Sequence, residues 1–321
     1  MLHDTPEWAR RHSFFHHSNP RSKDRAKTIF EKTHVRPKVK WARSVLKKKG
    51  FTKEQRAEAK SILEIYSTNR GSANMAAGVA VQDACNLALI PDDDYHQTLS
   101  VTEAQIVAHG TLKEYSPKNF CKEAQEDDTE RKEQYLAEIH KVTTNAILGL
   151  REAMKQDNMI IGETEYLEVL PGCELPYNTL PDYGRRGDLK TKWSKPATLK
   201  DGSRSWHTAS LPSSLSHNFD MNNVFQVTGF WACNGGLPPF LVYANKTDFK
   251  VFNKHNTPEL KPNSLKEILR EICIQSKTTE NLLRVANSKE DLLSLVSPTW
   301  DAIYWKEPPL YIAEAKKIWG Y

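Results

Sequence analysis

The sequence lacks the features that mark several common classes of protein. Its five cysteines are scattered without a C-x-x-C pair, which argues against a disulfide framework, a zinc site or an iron–sulfur cluster. No apolar run approaches the roughly 18 residues that a membrane span needs. The first residues contain no hydrophobic stretch of the signal-peptide kind. We therefore expect a cytoplasmic protein, in the host cytoplasm if the source is viral, that does not associate with a membrane.

Common nucleotide-binding and hydrolase motifs are also missing. There is no G-x-x-x-x-G-K-[ST] phosphate loop, no G-x-G-x-x-G and no G-x-S-x-G nucleophile elbow. Gly235-Gly236 is followed within two residues by prolines, so it is typical of a helix stop. The 321 residues are 39% hydrophobic and 26% charged. This composition is that of a globular protein with one large or two small domains.

Positive charge is concentrated at the N-terminal end of the chain. The formal net charge is only +5, yet residues 1–60 contain 17 Lys and Arg against 6 Asp and Glu. Such asymmetry favours a polyanionic partner. The segment from residue 36 to 43 combines the cations of Lys38, Lys40 and Arg43 with an indole, Trp41. The cations can meet phosphates, and Trp41 either stacks on a base or lies in the core.

The most informative pattern is Asp188-x-Lys190, which lies in a segment of strand character. Residues two apart in a β-strand project from the same face, so the pair sets a carboxylate beside an ammonium group. A carboxylate there can hold a hard cation such as Mg²⁺. A neighbouring lysine can orient a water molecule and stabilise the charge that develops during phosphodiester cleavage. The pattern therefore predicts a metal-dependent hydrolase site.

A second acid should lie opposite this pair. Residues 181–187 carry a proline and two glycines, which predict a tight turn that folds the preceding segment back on the Asp188 strand. Either Asp182 or Glu174 could then face Asp188, and the sequence does not choose between them.

Hydrophobic periodicity predicts helices in the first half of the chain and a mixture of strands and helices in the second. Helices are expected at 38–50, 53–68, 73–89, 102–114, 222–233, 263–294 and 309–319. A further long helix should follow the acidic stretch 123–133 and end near residue 156. Strands are expected at 159–161 and 165–170, around Asp188, and at 240–244 and 249–252. Thr52 and Ser264 are the expected N-caps, and roughly 194–220 is expected to be a polar loop. These elements suggest a basic extension with little regular structure (1–35), a helical region (36–157) and a mixed α/β core (158–321).

The order of these motifs resembles the PD-(D/E)xK nuclease superfamily, and within it the RecB-like branch with many phage-type exonucleases. Asp188-Leu-Lys190-Thr191 matches the core motif, Pro181-Asp182 is a literal "PD", and Gln226-x-x-x-Phe230 stands where Q-x-x-x-Y would. The segment Gly78-Val-Ala-Val-Gln82 is similar to a family helix that often carries a histidine at its last position. Phe230 lacks the tyrosine hydroxyl, and Gln82 cannot act as an imidazole ligand.

The resemblance implies a restriction-endonuclease-like core and a fold of the α/β (α+β) class, with a small mixed sheet flanked by helices. It implies a metal site of Asp188 with Asp182 or Glu174, a lysine (Lys190) against the water or phosphate, and Gln226 beside them. Arg185, Arg186 and Lys192 would then contact DNA. The resemblance also implies a further carboxylate, for which Glu138 and Glu165 are weaker candidates.

The implied activity is Mg²⁺- or Mn²⁺-dependent exonuclease action on DNA ends or single strands, in phage-type replication, recombination or DNA degradation. Homo-oligomers and replication or recombination proteins are the implied partners. Two alternatives stay open: a structure-selective or restriction-type endonuclease, and a DNA-binding module whose chemistry has lapsed.

Overall fold

A computed structural model describes residues 25–66, 72–91, 98–117, 122–155, 165–199, 201–216, 218–302, 305 and 307–321. Over these residues the fold is mixed α/β with a helical N-terminal half, as the sequence predicts. The helices are α1 (Arg25–Phe30), α2 (Arg36–Lys47), α3 (Lys53–Tyr66), α4 (Ala73–Leu89), α5 (Val101–Glu114), α6 (Lys122–Ala153), α7 (Asn218–Cys233), α8 (Pro262–Val285), α9 (Lys289–Ser294) and α10 (Pro309–Ile318). A π turn (Glu31–Val35) joins α1 to α2, and a 3₁₀ turn (Pro258–Leu260) precedes α8. No described helix combines the length and apolarity that a membrane crossing requires.

The strands are short and form three small sheets among the described residues. They are β1 (Tyr166–Val169), β2 (Pro176–Thr179), β3 (Gly187–Thr191), β4 (Lys195–Thr198), β5 (Arg204–His207), β6 (Phe240–Ala244) and β7 (Phe249–Asn253). β1 pairs with β2, β4 pairs with β5, and β3, β6 and β7 form a three-stranded sheet in that order. The strand predicted at 159–161 and residues 1–24 of the predicted extension lie outside the described part of the chain.

Capping side chains explain which helix boundaries the sequence could predict. Thr52 caps α3 as predicted: the N–H of Gln55 donates to Thr52 Oγ1 at 3.2 Å, and the N–H of Thr52 donates to Gln55 Oε1 at 3.0 Å. The predicted cap at Ser264 is wrong, because α8 begins at Pro262 and the Ser264 hydroxyl donates to the Pro258 carbonyl. The helix expected at 263–294 is divided into α8 and α9, and Ser288 caps the second.

Two further expectations are corrected. Residues 25–35, predicted to have little regular structure, are helical because Ile29 and Phe30 bury completely. The region 194–220, predicted to be a loop, contains the β4–β5 hairpin. Apolar and polar residues do not alternate along β4 or β5, and both strands are exposed at their ends and half-buried in the middle. The guanidinium of Arg204 on β5 pairs with Asp127 and Glu130 of α6.

The chain forms two compact units, each described here by itself. The terminal unit contains Met1–Arg70, Glu168–Asn178 and Glu271–Tyr321, and the central unit contains Gly71–Leu167 and Thr179–Arg270. In the terminal unit α2 packs on α3 through Ala42, Val45 and Ala59. An aromatic cluster gathers there around Phe30, whose ring contacts those of Trp305, Tyr311 and Trp319.

The three-stranded sheet organises the central unit. β3 is parallel to β6, with Asp188 opposite Leu241 and Lys190 opposite Tyr243. β7 is antiparallel to β6. Because β3 and β6 are parallel, the chain crosses between them through α7, as parallel pairs require. Side chains alternate along β3, so Asp188, Lys190 and the following Lys192 share one face of the sheet.

The other face of the sheet packs against α6. Leu189 and Val242 lie in a core cluster with α4 and α6 residues that include Ala80, Ile139 and Ile147. α6 approaches closely at Gly149, where a Cβ atom would come within 2.7 Å of the Val242 side chain. This packing leaves one face of β3 free to carry polar groups, and Asp188 and Lys190 lie there.

A tight turn leads into β3, as predicted. Tyr183 and Gly187 form an antiparallel bridge, and the N–H of Arg186 donates to the Tyr183 carbonyl at 3.0 Å. Gly184 and Arg185 between them have φ values of 56° and 65°. Two left-handed residues in succession are what a type I′ hairpin turn requires. The turn places Asp182 antiparallel to the start of β3.

Candidate active site

Asp188 and Lys190 lie side by side on β3. The Lys190 Nζ atom is 2.6 Å from Asp188 Oδ2, and their side chains are 27% and 3% exposed. Asp188 is therefore buried, while the ammonium group of Lys190 reaches toward solvent. Asp188 Oδ2 is the atom that pairs with the Lys190 ammonium group. A buried carboxylate can also serve as a ligand for a hard cation.

Asp182 is the second acid of the site. Its Oδ1 atom accepts from Gln82 Nε2 at 3.1 Å, and its Oδ2 atom is 3.5 Å from the N–H of Leu189. Burial raises the pKa of Asp182 well above its ordinary value, and the neighbouring charge of Asp188 and a hydrogen bond to it raise this pKa further. In the absence of a cation, the fold therefore favours the protonated form of Asp182. Two largely buried carboxyl groups in contact form the acidic half of the site.

Glu174 lies elsewhere. It belongs to the terminal unit, where its carboxylate pairs with Arg284 at 2.6 Å and is 46% exposed. The backbone N–H of Glu174 donates to Glu280 in the same unit. Of the two acids that the sequence left open, Asp182 is the one that contacts Asp188.

Gln226 on α7 bridges Asp188 and Lys190. Its Oε1 atom accepts from Lys190 Nζ at 3.0 Å, and its Nε2 atom donates to Asp188 Oδ1 at 3.3 Å. α7 reaches this position because it is the crossover between β3 and β6. Phe230, one turn further along α7, is fully buried in the core. The amide thus fixes the relative positions of the carboxylate and the ammonium group.

Gln82 on α4 is a site residue that sequence reasoning treated only as a departure from a family pattern. Its amide donates to Asp182, and its backbone carbonyl accepts from the buried Tyr183 hydroxyl at 3.4 Å. Gln82 therefore orients the second acid. The resemblance of residues 78–82 to a family helix was the one signal that could have identified it.

A second polar network adjoins the pair on the same face. Tyr243, opposite Lys190 on β6, is buried; its hydroxyl donates to Asp220 Oδ1 at 3.0 Å and accepts from Asn223 Nδ2 at 2.6 Å. Burial raises the pKa of Tyr243. Lys192 Nζ lies 3.8 Å from Asp220 and 5.2 Å from the centre of the Tyr243 ring. The predicted position of Lys192 on the same face as Lys190 is consistent with this network.

The two turn arginines have different surroundings. Arg185 is exposed at the tip of the turn, and its carbonyl accepts from Asn234 at 2.8 Å. The guanidinium of Arg186 donates to the Pro238 carbonyl at 3.1 Å and lies 5.7 Å from the centre of the Phe240 ring. Arg186 therefore ties the turn to the start of β6, and Arg185 is the one exposed to solvent.

Glu138 on α6 is buried and holds the chain just beyond β3. Its carboxylate accepts from Lys246 Nζ at 2.9 Å and from the N–H of Ser194 at 3.3 Å. Although burial alone would raise it, these donors and Gln134 hold the pKa of Glu138 below its ordinary value. Glu165, the other weak candidate, is exposed just before β1. The contacts of Glu138 are those of a structural residue.

The predicted DNA-binding residues of α2 belong to the terminal unit. Lys40 and Arg43 are exposed. Lys38 Nζ lies 5.5 Å from the centre of the Tyr66 ring. Trp41 is half-buried against the cluster that joins α2 to α3. The indole therefore packs between these two helices and is not an open surface on which a base could stack.

Asp182 and Asp188 are the side chains of this site that could hold a divalent cation. Mg²⁺ is commonly held by one or two carboxylates, with water and substrate phosphate completing its shell. Asp182 and Asp188 bring two carboxyl groups together. Within the described ranges no group of three or more His, Cys, Asp or Glu side chains converges on a common point. Water and substrate oxygens would supply the remaining ligands.

Comparisons with family models, with curated proteins and with solved structures return no match for this chain. The function is therefore inferred from the geometry of the site and from the motif pattern.

Proposed function

We propose that this protein is a metal-dependent nuclease that hydrolyses DNA phosphodiester bonds, with Mg²⁺ or Mn²⁺ as cofactor. The observation that carries the proposal is the contact of Asp188 with both Lys190 and Asp182 on one face of β3, with Gln226 bridging the first two. A solvated charge pair on a strand edge would not bury its carboxylate, nor would it gather a second acid and an amide.

The arrangement of elements also supports a restriction-endonuclease-like core. A hairpin turn carries the first acid into β3, which bears the second acid and the lysine. A crossover helix, α7, then supplies Gln226 and leads to a parallel neighbouring strand, β6. This order of acid, acid-x-lysine, helix and strand is the one that the motif resemblance implies.

Each side chain has a role that follows from its contacts. Asp182 and Asp188 would bind the cation, which would polarise a phosphoryl oxygen and lower the pKa of a water molecule. Lys190, the most exposed of the three, can donate to the attacking water or to the scissile phosphate. Gln226 and Gln82 are positioning residues, because each holds a charged side chain and neither needs to touch the substrate.

Several groups could direct the substrate toward this site. Arg185 at the turn tip and Lys192 beyond Lys190 flank the acidic pair with positive charge. Arginine can hold phosphate through two parallel hydrogen bonds, whereas lysine acts as a point charge. We propose that both contact the DNA backbone and that DNA ends or single strands, as in phage-type replication and recombination, are the substrates.

The test is metal-dependent release of nucleotides from a labelled linear duplex. The wild-type protein should release nucleotides with Mg²⁺ or Mn²⁺ and not with EDTA, and Lys190→Ala should abolish release. Lys195→Ala, which removes an exposed lysine from β4, is the matched control and should retain activity. DNA binding without hydrolysis in either metal would instead identify a module whose chemistry has lapsed.

A covalently closed circle separates the two nuclease alternatives. An end-dependent exonuclease degrades the linear form and leaves the circle intact. Cleavage of the circle, lost in Lys190→Ala, would assign the protein to the endonucleases that share this core.

A further inference from the structure

Helix α2 presents a row of cations on one side. Arg36, Lys40, Arg43 and Lys47 follow one another at intervals of four, three and four residues and are all exposed. This spacing aligns their side chains along a single stripe of the helix. At a rise of 1.5 Å per residue the stripe is about 16 Å long. We call these four residues the α2 stripe.

Within the described ranges, no acidic side chain pairs with the stripe. Among the residues that the structure describes, none of its four cations forms an ion pair. Arg36 with Lys40, and Arg43 with Lys47, are like-charge neighbours at i and i+4, an arrangement that destabilises a helix. These cations lie in one row although they repel one another. Such a row has the character of a binding surface for an extended anion.

The opposite side of α2 is already occupied. Ala42 and Val45 are fully buried against Ala59 of α3, and Trp41 packs on the same cluster. An amphipathic helix that binds a lipid surface must offer its apolar side to the acyl chains. α2 has no such side to offer, so a polymer with regularly spaced surface charges fits the stripe better than a membrane does.

We propose that the α2 stripe binds the phosphate backbone of DNA without regard to sequence. The choice of DNA among polyanions rests on the proposed nuclease function. A duplex presents its phosphates at regular intervals, so a straight row of four cations about 16 Å long can lie along its backbone. The four cations belong to the terminal unit, whereas Asp188 belongs to the central unit. Lys38 and Trp41 are not part of the stripe.

The experiment measures the salt dependence of DNA binding by the full-length protein. Binding to a short labelled duplex is followed by fluorescence anisotropy in EDTA, so that hydrolysis does not contribute. The test variant is Arg36→Gln/Lys40→Gln/Arg43→Gln/Lys47→Gln. The matched control is Lys254→Gln/Lys261→Gln/Lys266→Gln/Arg270→Gln, which removes four exposed cations from the central unit. Both variants lower the formal net charge equally, and circular dichroism checks that both remain helical.

Loss of four phosphate contacts should make the slope of log K against log salt shallower by about 3 to 4. Between about 50 and 200 mM salt, wild-type binding should therefore weaken by roughly 10²-fold more than binding by the stripe variant. The control should keep the wild-type slope. Equal slopes for wild type and stripe variant, or equal loss in both variants, would overturn the proposal. So would binding to phosphatidylserine vesicles with none to the duplex.

Failure of the proposed nuclease function gives a different result. If the protein binds the duplex through the stripe but releases no nucleotides with Mg²⁺ or Mn²⁺, the stripe stands and the nuclease proposal falls. If it releases nucleotides and the stripe variant binds with the wild-type slope, the nuclease proposal stands and the stripe falls.

Discussion

Replacing Asp182 with asparagine should stabilise the metal-free protein at neutral pH. Burial and the nearby Asp188 raise the pKa of Asp182 in the folded state, whereas an aspartate in the unfolded chain titrates near about 3.9. Between these two pKa values the folded state holds a proton that the unfolded state has released. The free energy of unfolding of the wild type therefore falls as pH rises through this window. Asparagine does not titrate, so the variant escapes this loss.

The size of the effect has an upper limit. Each unit of difference in pKa corresponds to about 1.4 kcal/mol, and from about pH 3.9 to pH 7 the wild type can lose at most about 4 kcal/mol. The asparagine oxygen can still accept from Gln82 Nε2, so this hydrogen bond is kept. We expect Asp182→Asn to gain up to this limit at pH 7 and to gain nothing below about pH 4.

Urea unfolding in EDTA across this pH range measures the difference. Asp83→Asn, which removes an exposed carboxylate from α4 near Gln82, is the control and should follow the wild type. Adding Mg²⁺ should stabilise the wild type by mass action and leave Asp182→Asn unchanged. An Asp182→Asn variant that is no more stable than wild type at pH 7, or whose advantage is the same at pH 4, would refute the reasoning.

Three further substitutions test other parts of the account. Gln226→Ala should slow DNA hydrolysis by about 10²-fold without unfolding the protein, because misplaced catalytic groups lose rate steeply; steady-state kinetics and a melting curve check this. Glu138→Ala should lower the free energy of unfolding by about 3 kcal/mol at pH 7 because it leaves Lys246 without its carboxylate partner. Since the pKa of Glu138 is lowered in the fold, this difference should shrink as the pH falls below about 4, which acid titration of both proteins measures. Gly149→Ala should destabilise by about 1–3 kcal/mol because its Cβ would collide with the sheet, whereas Gly110→Ala, which meets open space, should stabilise by up to about 1 kcal/mol in the same denaturation assay.

The parts of the fold that depend on local chemistry could be predicted from the sequence. Thr52 begins α3 because its hydroxyl is three residues from an N–H that needs an acceptor. Asp188 and Lys190 lie together because side chains alternate along a strand. The turn before them forms because a glycine at position 184 reduces the strain of two left-handed residues.

The parts that depend on distant contacts could not. Glu174 pairs with Arg284, a residue 110 positions away, and it is Asp182 that contacts Asp188. The β4–β5 hairpin pairs Arg204 with acids of α6 and packs Trp206 against the core of the central unit. Trp41 packs on the cluster formed by Ala42, Val45 and Ala59. None of these partners is visible in the local pattern of charge or hydrophobicity.

The central claim is that Asp182 and Asp188 together bind one divalent cation beside Lys190. Its most direct test is a Mn²⁺ titration followed by electron paramagnetic resonance, in which bound and free Mn²⁺ are distinguished. The account predicts one bound ion per wild-type chain, affinity weakened by more than about tenfold in Asp182→Asn and Asp188→Asn, and unchanged affinity in Asp83→Asn. Equal Mn²⁺ binding by all four proteins, or none by the wild type, would contradict it.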